Sequence, residues 1–200
     1  MKTRNLVLIV IIGLIVLIGG CVGCGSVGFQ KNAVQLDENV KKQWADVQSS
    51  YQRRSDLIPN LVATVKGEAN FERGTLTDVI NARASATQIK VDPNDLTPEK
   101  VQQFQQAQGQ LSQALGRLLV VTENYPNLRA NDAFRGLQTQ LEGTENRINV
   151  ARNDFNEAVR NYNTVIRTFP NNIYAGWFGF SPRPSFEADA GASKAPDVKF

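Results

Sequence analysis

The chain has 200 residues and 22.1 kDa, with 42% hydrophobic and 20% charged residues, a globular composition that excludes a disordered or collagen-like chain. It has no histidine and only two cysteines, Cys21 and Cys24, which excludes imidazole-based triads, histidine general bases, most catalytic zinc sites and a disulfide-stapled fold. The net charge is +3, and with Lys2 and Arg4 set aside 20 basic residues face 19 acidic ones, so no basic surface directs the chain to nucleic acid.

Residues 1–30 read as a membrane anchor. No charge lies between Arg4 and Lys31. A crossing helix needs about 20 apolar residues, and Leu6 to Val27 meets that length. Its apolar face-forming residues are Leu6, Val7, Ile9, Ile11, Leu14, Ile15, Leu17 and Ile18. A second reading fits the same stretch. Lys2 and Arg4 form a charged start, Leu6 to Ile18 a hydrophobic run, and Ile18-Gly19-Gly20-Cys21 resembles a lipobox, with Cys21 the acylated residue. Both readings attach the chain to membrane lipid. Lys2 and Arg4 favour a cytoplasmic N-terminus, with the domain outside.

From about Gln35 the spacing predicts a helix carrying Leu36, Val40, Trp44, Val47 and Tyr51 on one stripe. The stripe continues through Arg54, Ile58, Leu61 and Val65. Pro59 falls inside it, so a kink or break is expected near Arg54 to Asp56. A helix from Leu57 then runs through Phe71, Leu76, Val79 and Ile80 to about Gln88, weakened by Gly67 and Gly74. Val91 to Leu96 is a polar turn. Thr97 and Pro98 open a helix to Glu123, with Val101, Phe104, Gln108, Leu111, Leu115, Leu118 and Val121 in phase. Tyr125-Pro126-Asn127 ends it. The strongest signal runs from Asn131 to Phe169. Phe134, Leu137, Leu141, Thr144, Ile148, Ala151, Phe155, Ala158, Tyr162, Val165 and Phe169 follow spacings of three and four. Ile173 to Phe186 is irregular and aromatic, and 187–200 is expected to be a disordered tail.

Three or four long helices with short loops predict an all-α, elongated antiparallel up-down bundle over residues 31–186. No strand pattern, P-loop, Rossmann glycine pattern, zinc spacing or EF-hand is present. Asp92, Asn94 and Asp95 resemble a calcium loop only loosely. No catalytic residue, metal or cofactor is expected.

The run Tyr51-Gln52-Arg53-Arg54-Ser55-Asp56-Leu57-Ile58-Pro59-Asn60-Leu61-Val62 resembles the signature of the bacterial LemA family. So do Thr64-Val65-Lys66-Gly67, Ala82-Arg83, Glu123-Asn124-Tyr125-Pro126-Asn127-Leu128, Glu145-Asn146-Arg147-Ile148, Asn156, Tyr162-Asn163 and Phe169-Pro170. The resemblance covers about residues 33–186. It implies a small bacterial membrane protein with one N-terminal span and a helical domain, and no established enzymatic activity. The histidine often found after Lys-Gly in that family is missing.

The candidate residues each carry two readings. Arg53, Arg54, Asp56 and Pro59 form either a docking site for a partner or an internal ion-pair network, with Glu123, Glu142 or Glu145 as the carboxylate. Trp177 and Phe178, with Tyr174 and Phe180, either meet a membrane or partner or close the end of the bundle. Glu142 and Glu145 share a helix side but face no cleft, as a carboxylate hydrolase would require. The function expected is a non-enzymatic scaffold or adaptor for cell-envelope proteins. A ligand-sensing bundle, an envelope hydrolase and a self-assembling coiled coil are the rivals.

Overall fold

The computed structural model describes residues 2–68 and 71–187, with side chains over 11–14, 16–17, 25–68 and 71–187. Within these residues the chain is all-helical and contains no strand. Helix α1 spans Lys2–Lys66, α2 Arg73–Gln88, α3 Pro98–Thr122, α4 Pro126–Ala130, α5 Asp132–Arg167 and α6 Asn171–Phe178.

The helix ends follow from local chemistry. Thr97 Oγ1 accepts from the Lys100 amide at 3.3 Å, and Pro98 occupies the first turn, where its missing N–H costs nothing. Asn131 Oδ1 accepts from the amides of Ala133 and Phe134 and so opens α5. Gly179 closes α6 in the left-handed region, at φ 75°, which needs no β-carbon. The Phe180 amide then donates to the Ala175 carbonyl at 2.9 Å.

Two expectations about the chain path are corrected. The break placed near Arg54 to Asp56 does not occur, because α1 is continuous through Pro59 to Lys66. The interruption lies instead beyond Lys66, at Gly67 and Glu68, before α2 opens at Arg73. Proline at 59 removes the donor that the Ser55 carbonyl would use in the helix. Arg83 Nε, from α2, donates to that carbonyl at 3.0 Å in its place. The second correction concerns the aromatic segment, whose first part is the helix α6 rather than irregular chain.

The expected span falls on α1, but the side chains of Leu6, Val7, Ile9, Ile15, Ile18 and Cys21 lie outside the described residues. No helix among the described residues is long and apolar enough to cross a membrane. The expected tail lies outside them too, apart from Glu187.

Helix α1 packs antiparallel to α5, with Trp44 against Phe155 and Arg54 against Glu145. Helix α2 packs antiparallel to α3, with Asp78 facing Arg117 and Ala86 facing Gln108. Helices α1 and α3 run the same way, as Tyr51 meets Phe104 and Arg54 meets Gln108 and Ser112. The core has two parts. One gathers Phe29, Val40, Trp44, Tyr51, Phe104, Phe155, Tyr162 and Phe186. The other gathers Ile58, Leu61, Val65, Leu76, Val79, Leu111, Leu118 and Leu141. Thr144, the one polar residue on the α5 stripe, is buried and donates back to the Leu141 carbonyl at 2.8 Å.

Candidate functional site

Arg54 sits between the two parts of the core and is only 2% exposed. A buried guanidinium must be paired and hydrogen-bonded to be tolerated. Nη1 donates to Ser112 Oγ at 2.7 Å and to Glu145 Oε2 at 2.9 Å. Nη2 donates to Gln108 Oε1 at 2.9 Å and to the Gln108 carbonyl at 3.3 Å. The guanidinium carbon also stands 5.1 Å from the centre of the Tyr51 ring, a cation–π distance. Gln108 is itself buried and passes its amide on to the Ala86 carbonyl at 3.4 Å. One arginine therefore ties α1 to α3 and α5, and through Gln108 to α2.

Of the three acidic residues in reach by sequence, Glu145 is the one that pairs with Arg54. Glu142 takes a hydrogen bond from Gln138 instead. Arg53, Asp56 and Pro59 are exposed on α1, and Asp56 accepts from Gln52 at 2.7 Å. The structure thus separates Arg54 from its sequence neighbours. Beside it, Ser55 Oγ is buried and has no hydrogen-bond partner among the described residues. It lines a cavity of about 100 Å³ with Gln48, Gln52, Thr87 and Gln108. That volume suits a few waters and is well below the roughly 300 Å³ of small-ligand sites.

A second constellation was not foreseen. Residues Ser181 to Glu187 lie along α5 as an extended strap. Asn163 receives the Arg183 amide at its Oδ1 and gives its Nδ2 to the Arg183 carbonyl, both at 2.8 Å. Asn156, two turns earlier, does the same for Phe186, at 2.8 and 3.3 Å. Each side-chain amide pairs with backbone as a neighbouring strand would. Arg183 adds an ion pair to Asp37 at 2.8 Å, and Tyr162 donates its hydroxyl to the Ser181 carbonyl at 3.1 Å. Phe186 is thereby buried, 5.7 Å from the Trp44 ring and 5.5 Å from Phe155. Burial pushes the Tyr162 phenol above its ordinary value of 10, and the Asp37 charge adds to this.

The aromatic end divides. Phe29 of α1 is the hub, with Tyr174 at 5.8 Å, Phe180 at 5.9 Å and Phe178 at 6.5 Å between ring centres. Tyr174 and Phe180 finish the core. Trp177 is 66% exposed, and Phe178 shows one side to solvent. Of the two readings of these rings, closing the end of the bundle describes Tyr174 and Phe180, whereas Trp177 faces outward. Its position on α6 two residues beyond buried Ala175 turns it outward. Ile11, Leu14 and Leu17 on α1 are also exposed.

The profile of the LemA family matches residues 43–200. Two relatives, Magnetosome protein MamQ 2 and Magnetosome protein MamQ 1 of Paramagnetospirillum magneticum (strain ATCC 700264 / AMB-1), are each 26% identical over 171 residues. The match takes in 77% of this chain and 63% of theirs, so the chain spans less than two thirds of their length.

Proposed function

The chain belongs to the LemA family, and on that premise we propose that it is a membrane-anchored, non-enzymatic up-down bundle that serves as a scaffold or adaptor for envelope proteins. The observation that carries the reading is the continuity of α1 from Lys2 to Lys66. The charge-free stretch from Asn5 to Gln30 and the α1 stripe of the core belong to one helix. With Leu6 to Val27 retained in the bilayer, the remaining 39 residues of α1 lift Lys66 about 58 Å from the surface, at 1.5 Å per residue. Lys2 and Arg4 set the N-terminus on the cytoplasmic side and the bundle outside.

The interior supports a scaffold over an enzyme. Its buried Arg54 and Gln108 are engaged with each other and with Ser112 and Glu145 at the edge, and Ser55 Oγ, unpartnered among the described residues, faces a cavity of only about 100 Å³. The relatives' names give a cell structure and no reaction. The outer surface offers a partner more. An open groove lined by Gly74, Asp78, Gln113, Gly116, Arg117 and Val120 runs between α2 and α3, and its glycines admit close approach of another helix.

The test places a photo-crosslinking residue at exposed Arg53 and at Val120 in native membranes. The expected result is one reproducible protein adduct from the membrane fraction at Val120, lost on adding Gly116→Trp. Adducts of the chain with itself alone would overturn the adaptor role in favour of self-assembly. The intact mass of the mature N-terminus distinguishes the retained span from acylation at Cys21.

A further inference from the structure

We propose that α6 is a membrane-surface helix, with Trp177, Ile173 and Phe169 seated at the boundary between lipid headgroups and acyl chains. This rests on the membrane-anchored reading above and adds a second, peripheral contact to it.

Three observations carry it. First, the exposed side chains are of the right kind. Phe169 is 77% exposed, Trp177 66% and Ile173 45%. Ile173 and Trp177 are four residues apart, so they share one face of α6. No charge occurs from residue 168 to 182, while Asn171 and Asn172 give the helix start a polar edge. Aromatic rings with one polar atom favour this layer of a bilayer.

Second, α6 is fixed to the level where the charge-free stretch of α1 ends. Tyr174 Oη would stand 3.2 Å from a β-carbon at position 25, so the ring packs closely over Gly25 and a side chain there would push it back by a few tenths of an ångström. Phe178 stacks on Phe29 at an interplanar angle of 21°. Trp177 lies 5.7 Å from Tyr174, ring centre to ring centre. Gly25 and Phe29 bracket Val27, itself 67% exposed, at the close of the Leu6–Val27 segment. A helix crossing the bilayer up to Val27 brings these rings to the surface with it.

Third, the core does not need the outward rings. Ala175, Tyr174 and Phe180 make the contacts that hold α6 in place. Trp177 and Phe169 contribute apolar area that the bundle leaves uncovered. Leaving large rings in water on one short, charge-free helix is costly unless lipid or a partner covers them.

The chain has two tryptophans, and Trp44 is fully buried, so Trp177 is the reporter. Full-length protein is reconstituted into phosphatidylcholine–phosphatidylglycerol vesicles and recovered by flotation. Iodide quenching and quenching by lipids brominated near the carbonyls are then compared between wild type and Trp177→Phe, a variant whose exposed position preserves the fold. The Trp177 component should lose at least about twofold in iodide quenching on entering vesicles and gain quenching by brominated lipid. A chain that floats while Trp177 stays open to iodide and unquenched by lipid overturns this proposal alone. A chain that does not float overturns the anchor and, with it, this proposal. Protection that disappears as protein is diluted in lipid assigns the patch to a second copy and also overturns it.

Discussion

The two parts of the core are built from different side chains. The part beside Phe29 is aromatic, with Trp44, Tyr51, Phe104, Phe155, Tyr162 and Phe186. The part beyond Arg54 is mostly aliphatic, with Ile58, Leu61, Val65, Leu76, Val79, Leu111 and Leu118 beside two buried rings, Phe71 and Phe134. The difference follows from where α2 stops. In the aliphatic half, α2 supplies Leu76, Val79 and Ala86 against α3. At Gln88 it ends, and the aromatic half has to be covered by less regular chain. A loop gives Val91 and Leu96, and the strap gives Phe186. Loops and straps leave irregular gaps, which large flat rings fill better than Leu or Val. Their backbone also needs partners from side chains. Trp44 Nε1 and Gln48 Nε2 both donate to the Val91 carbonyl, and Asn156 and Asn163 hold the strap. One half is closed mainly by helices, with Phe71 and Tyr125 from the connections at its end, the other by side chains acting as backbone.

The sharpest way to break this picture is at the seam. Arg54→Ala removes the cation that faces both halves and leaves Gln108 and Glu145 without it. It should cost about 3 kcal/mol, less than for a fully buried pair because Glu145 is half exposed. Urea unfolding followed by circular dichroism measures it. A loss under about 0.5 kcal/mol would deny Arg54 its structural role.

Phe186→Ala acts on the aromatic half alone and should cost about 2 kcal/mol, below a rigid core cavity because a terminal strap can relax. Trp44 fluorescence should shift to the red, since Phe186 stacks on it. Unchanged Trp44 emission would mean that the strap does not seal this core.

The repair at Pro59 allows a cycle with a sign. Arg83→Ala orphans the Ser55 carbonyl and should cost about 1 kcal/mol. Pro59→Ala restores the amide that the carbonyl would use, so the double variant should recover most of that loss. Simple additivity would show that Arg83 acts by some other contact.

The smallest effect concerns pH. Tyr162 favours its neutral phenol in the fold, because its pKa is raised there. Its contribution is complete below pH 10 and declines as pH climbs through the raised value. At neutral pH Tyr162→Phe forfeits the bond to the Ser181 carbonyl, worth under about 1 kcal/mol. The gap between the two proteins should therefore narrow above pH 10, read from paired denaturation curves. A constant gap would mean that Tyr162 does not titrate with folding.

Sequence periodicity served best where a helix buries a single stripe. Helices α3 and α5 could be read almost to their ends, since Thr97, Pro98 and the spacing from Phe134 to Tyr162 are local signals. Proline at 59 misled because its remedy, Arg83, lies 28 residues away. Arg54 was visible as a charge on an apolar stripe, and Glu145 was among its three candidate partners. Gln108 reads in sequence as one more stripe position, and Ser112 carries no signal at all. The strap escaped notice because Asn156 and Asn163 have no apolar signature. Their spacing of seven, two turns of one helix, was the clue that could have exposed it.

An unjointed α1 has a consequence for direction. With Leu6 to Val27 as the span proposed above, that span and the bundle share one helical screw, so the compass bearing of every face would be indexed to the bilayer. Adding a single residue near Phe29 would raise the bundle by 1.5 Å and swing it by about 100°. Adding seven would restore its bearing to within about 20° while lengthening the stem by about 10 Å. Bearing and height can thus be dialled apart, and a neighbour that must meet one face would respond to the first and tolerate the second.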